Sequence, residues 1–71
     1  MALLKGERYA VNSDGHKVEV YEVASGEARH TIQMTPNEIA QGMGVIWHDE
    51  GLSEEERCFA IFWAGYFYGS Y

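Results

Sequence analysis

Asp14-Gly15 is the feature that most restricts how this chain can fold. A two-residue type I′ hairpin loop needs positive φ at both central positions, and Asp-Gly is among the few pairs that tolerate it. The dipeptide separates two runs of alternating apolar residues, Tyr9-Ala10-Val11 and Val18-Glu19-Val20. With Asp14 and Gly15 as the loop, Val11 pairs with Val18, Tyr9 with Val20 and Arg8 with Tyr21. The apolar residues of both strands then share one face.

A second turn is expected at Ala24-Ser25-Gly26. A two-residue Ser25-Gly26 loop would set Ile32 beside Glu19 and send the third strand's apolar residues to the wrong face. A three-residue loop, with Gly26 in the left-handed position of a bulge, pairs Val20 with His30 and Val18 with Ile32 instead. The expected buried face is Tyr9, Val11, Val18, Val20, His30, Ile32 and Met34.

Two helices follow. Thr35-Pro36-Asn37-Glu38 supplies a capping residue, proline at the first helical position and glutamate three after the cap. Ile39, Ala40, Met43, Ile46 and Trp47 then recur at helical spacing. Gly42 and Gly44 weaken this helix and admit a close neighbour. Gly51, after His48-Asp49-Glu50, is expected to stop it in a left-handed conformation. Ser53-Glu54-Glu55-Glu56 reads as a second capping box whose carboxylates complement the positive end of the helix dipole. The fold class is therefore α+β, a three-stranded antiparallel meander followed by two α-helices packed on one face (βββαα), with residues 1–71 forming a single domain.

The last helix is the most informative element. Seven of the chain's aromatic residues lie between Phe59 and Tyr71. Phe59, Phe62, Trp63, Tyr66 and Phe67 occupy one arc of the wheel, expected to cover the sheet. Cys58, Ile61, Gly65, Tyr68 and Gly69 make the reverse side apolar as well, and a helix apolar all round must be buried all round. A domain of 71 residues buries only roughly 60% of its unfolded surface. An uncovered remainder is expected, with Trp47, Tyr68 and Tyr71 contributing to contact with another chain, either a partner or a second copy.

Charge is distributed unevenly. The net charge is -6, and residues 35–71 hold Arg57 against Glu38, Asp49, Glu50, Glu54, Glu55 and Glu56. Asp49, Glu50, Glu54, Glu55 and Glu56 form the densest cluster, an acidic ridge suited to a basic partner. On the sheet face away from the core, Arg8 and Arg29 are expected to flank Tyr21, an alternative stacking platform for single-stranded nucleic acid. The acidic balance opposes generic phosphate binding.

The chemistry of known catalytic sites is not visible. Cys58 is the sole cysteine, which excludes an intrachain disulfide and a multi-cysteine zinc site. No phosphate loop, dinucleotide fingerprint or metal-ligand spacing is present, and His48 beside Asp49 and Glu50 reads as a solvated helix end. We expect no enzyme activity, no cofactor and no metal. The unpaired thiol, the short apolar opening Met1–Lys5 and the absence of a stretch of about 20 apolar residues suggest a cytoplasmic protein with no membrane segment.

Two main function classes remain, a protein-binding module that occupies a surface of a larger macromolecule and a nucleic-acid-binding module using the Arg8, Tyr21 and Arg29 face. A homo-oligomeric structural subunit is a third. In size and acidity the chain resembles the small inhibitors encoded by bacteriophages and mobile elements, including anti-restriction and anti-CRISPR proteins. That resemblance implies a host protein as target and carries over no residue positions.

Overall fold

The computed structural model describes the backbone of residues 2–3 and 8–70, and the side chains of residues 8–70. Among these residues six elements follow one another: β1 (Ala2–Leu3), β2 (Tyr9–Ser13), β3 (Lys17–Glu22), β4 (Ala28–Gln33), α1 (Pro36–Trp47) and α2 (Glu54–Ser70). The strands form one antiparallel sheet in the order β1-β2-β3-β4. The βββαα architecture is thus as expected, with a two-residue strand added at one edge, where Ala2 pairs with Val11 and Leu3 with Ala10.

The first hairpin turns where Asp14-Gly15 lies, but with a different register. Val11 pairs with Val20 and Ser13 with Val18, a shift of two residues from the expected pairing. Asp14 causes the difference: its Oδ1 accepts the backbone N–H groups of His16 and Lys17, at 2.8 and 3.0 Å, and stabilises a longer loop in which Gly15 has positive φ, at 90°. A shift by an even number leaves every side chain on its intended face, so the core survives it. Tyr9, Val11, Val18, Val20 and Ile32 are buried, and Met34 packs against them.

At the second turn, Val18–Ile32 and Val20–His30 pair as expected, and Gly26 has φ 74°. The loop is longer than three residues: Glu22 donates to Glu27 and accepts from Gly26. The ladder recovers its register through an irregularity at Val20 and Tyr21, where Tyr21 pairs with Ala28 and Arg29 is the extra residue. Such a bulge re-aims side chains. Here Arg29 and His30, adjacent in sequence, both reach the same carboxylate on the helical side.

Both helices lie on one face, α1 over β4 and α2 over β2 and β3. Thr35 Oγ1 caps α1 by accepting from Glu38 N, while Thr35 N donates to Gln33 O, so the box is one-sided. The second box is complete: Ser53 Oγ accepts from Glu56 N, and Glu56 Oε1 accepts from Ser53 N. Small residues set the packing distances. A Cβ on Gly42 would meet the Ile32 side chain at 2.6 Å, so α1 rests directly on the strand. Ala60 and Ala64 do the same for α2, both fully buried. Completely enclosed Val11, Val18, Val20 and Ile46 each contribute about 1.5–3 kcal/mol by burial.

Candidate functional site

Two features stand out around the helices: a polar clamp that fastens the interhelical segment to the sheet, and an aromatic face that no described residue covers.

Asp49 is the hub of the clamp. Its Oδ2 accepts from Arg29 Nε at 2.6 Å and lies 2.7 Å from His30 Nε2, while its Oδ1 accepts from the second Arg29 nitrogen at 2.7 Å and from Gly51 N at 3.0 Å. A forked guanidinium–carboxylate pair of this kind is a strong, oriented hydrogen-bonded contact. It holds the Asp49 carboxyl far below the ordinary carboxylate range, with His30 and Gly51 N adding to the effect and partial burial opposing it. Gly51 does not take the left-handed conformation expected of it. Its missing Cβ makes room for the Arg29 guanidinium instead.

Glu56 forms the second half. Only 3% of it is exposed, yet Arg8 donates to both its oxygens, at 3.0 and 2.6 Å, and Ser53 N supplies a third bond at 2.8 Å. Arg8 is the main reason the Glu56 carboxyl ionises below its usual range. The two halves meet at Tyr9, whose ring lies 5.3 Å from the Arg8 guanidinium carbon and 5.9 Å from that of Arg29. The ring thus presents its negative face to both guanidinium groups.

This arrangement corrects two expectations. Arg8 and Arg29 do not flank Tyr21 on the outer sheet face; the bulge and the two carboxylates draw them to the helical side, over Tyr9. The proposed stacking platform is therefore not assembled. Of the five acidic-ridge residues, Asp49 and Glu56 are turned inward and engaged within the chain, while Glu50, Glu54 and Glu55 are exposed.

The aromatic arc of α2 is also placed differently from expectation. The side against the sheet is Glu56, Ala60 and Ala64, with Trp63 and Phe67 packed at its margin. Phe59, Phe62 and Tyr66 face solvent, at 42%, 60% and 55% exposure. Trp63 joins them from below, its ring 5.5 Å from Phe62 and 5.2 Å from Tyr66 in edge-to-face geometry. The sheet accepts alanine where the wheel suggested aromatics, because a helix lying this close to β2 and β3 has no room for rings. The signal was present as Glu56, Ala60 and Ala64, one turn apart.

The other expected association residues are partly available. Trp47 is 49% exposed, with the Arg57 guanidinium over its ring at 5.6 Å and Arg57 also donating to its carbonyl. Tyr68 is exposed at the opposite flank of α2. Tyr71 lies outside the described residues. Cys58 is exposed, and among the described residues no three His, Cys, Asp or Glu side chains gather as a metal site would require. Nor is any described helix long and apolar enough to cross a membrane.

Comparison with protein-family models, with curated protein sequences and with solved structures yields no match.

Proposed function

We propose that this chain is a small cytoplasmic protein-binding module that acts by occupying a surface of a larger protein, as an inhibitor of a nucleic-acid-handling protein would, and not by catalysis. The observation that carries this reading is the exposed face of α2. Glu55, Phe59, Phe62, Tyr66 and Gly69 follow one another in steps of four and three, the spacing of a seam that a helix lays into a groove. At 150–250 Å² per aromatic side chain, the exposed fractions amount to roughly 300 Å² of apolar surface. That matches the core of an interface, whereas a stable complex needs roughly 800 Å² per partner.

The rest of the contact falls to the rim, and its N-terminal end carries exposed Glu54 and Glu55. Complementarity favours a partner with a basic margin, the kind of surface that proteins handling nucleic acid present. A second copy fits less well. Antiparallel α2 helices would set these glutamates against a last turn with no basic residue, and parallel ones would set them against each other.

The test is capture from the native host with the intact chain, the Glu54→Lys/Glu55→Lys variant and Phe62→Ala, followed by mass spectrometry. One large basic protein, retained by the parent and lost with Phe62→Ala, is the expected result. Recovery of nucleic acid, or of the chain itself alone, would contradict the reading.

A further inference from the structure

The sheet's two edges are unequal. β1 is two residues long, whereas β4 runs for six and, among the described residues, has a strand on one side only. Edge strands are normally protected by shortness, a bulge, proline or charge. The bulge at Arg29 protects the start of β4. The run His30-Thr31-Ile32-Gln33 contains none of these devices.

Met34 N donates to His16 O, so antiparallel alternation directs the N–H groups of Ile32 and His30 toward β3 and those of Thr31 and Gln33 outward. Beside this edge lies α1, seated close because Gly42 rests on Ile32. Between them is a groove of about 180 Å³ lined by His30, Ile32, Glu38, Gln41, Gly42 and Val45. It continues past Gly44 to His48. Val45, on α1, is 59% exposed. No lysine or arginine occurs between Arg29 and Arg57, and the Arg29 charge is taken by Asp49. Glu38 therefore makes the groove acidic.

We propose that the β4 edge is a strand-addition site for an extended segment of another protein. The segment pairs its backbone with both backbone polar groups of Thr31 and with the N–H of Gln33, whose carbonyl already accepts from Thr35 N, places an apolar side chain in the groove beside Val45 and sets a lysine or arginine against Glu38. This surface is separate from the exposed face of α2 and does not depend on it.

The probe is a displayed library of random twelve-residue linear peptides selected against the intact chain, with binders mapped by amide chemical shifts. The expected binders are rich in β-branched residues, contain Lys or Arg, and shift the Thr31 and Gln33 amides. Thr31→Pro deletes an outward donor without touching the β3 ladder and should weaken them at least tenfold, as should Val45→Lys, which keeps the test usable if the proline variant does not fold. Glu38→Lys should abolish the preference for basic peptides, while Phe62→Ala should leave binding unchanged. Binders that map only to α2, no binders at all, or concentration-dependent protection of Thr31 and Gln33 in peptide-free protein, which would mean a second copy occupies the edge, would each overturn the proposal.

Discussion

Asp49 receives hydrogen bonds from Arg29 and Gly51 and lies against His30, whereas Phe62, on the outer side of α2, has Trp63 as its ring neighbour and 60% of its surface in solvent. The contrast runs through both regions. At the clamp, two carboxylates that look suited to a partner, Asp49 and Glu56, are matched within the chain. On α2, rings that look suited to a core are left outside it. If the α2 rings serve recognition as proposed, stability and recognition fall to residue types opposite to those intuition suggests, and substitutions can separate the two.

The largest effect expected is on the clamp. Asp49→Ala leaves Arg29 without its carboxylate and the interhelical segment without its anchor, costing roughly 2–3 kcal/mol. Thermal unfolding followed by circular dichroism should show a midpoint lower by about 10 °C or more. Below that midpoint, binding through α2 should persist. Next is Phe62→Ala, with the reverse signature: unfolding unchanged within about 0.5 kcal/mol, and partner affinity reduced by about 2 kcal/mol, or roughly 30-fold. If Phe62→Ala instead lowered the unfolding midpoint as Asp49→Ala does, the distinction between the regions would fail.

Glu56→Gln should cost about 1–2 kcal/mol, because an amide can accept from Ser53 N but no longer opposes the Arg8 charge. Acid sharpens the same point. Asp49 and Glu56 ionise below their ordinary range in the folded chain, so the unfolded chain binds protons first as pH falls. Their contribution is complete above about pH 5 and declines as pH drops through about 4 toward the depressed folded values. Urea midpoints at pH 7 and pH 3 should differ less in Asp49→Ala and Glu56→Gln than in the parent. The smallest effect belongs to Glu54→Lys with Glu55→Lys, which should slow association with a basic partner several-fold, most visibly at low salt, and leave dissociation nearly unchanged.

Why some of this was legible in the amino-acid order and some was not follows from particular residues. The core face of the sheet was readable because period-2 alternation tolerates the two-residue shift that Asp14 imposes on the first hairpin. Both helix starts were readable because proline and capping serine or threonine act locally. The bulge at Arg29 was not, since an extra residue in a ladder leaves no compositional trace, and with it went the position of Arg29; that of Arg8 depended on Glu56 being turned inward. The orientation of α2 was obscured by a helix apolar on nearly every side. There the deciding residues were the small ones, Ala60 and Ala64, because close approach to the sheet selects against bulk.

The most direct test replaces Phe59, Phe62 and Tyr66 together with serine and titrates the variant against the captured partner, with its unfolding midpoint measured alongside. The account predicts a midpoint at or near that of the parent and loss of detectable binding. Retained affinity, or collapse of the fold, would show that the rings on the outer side of α2 are not a recognition surface.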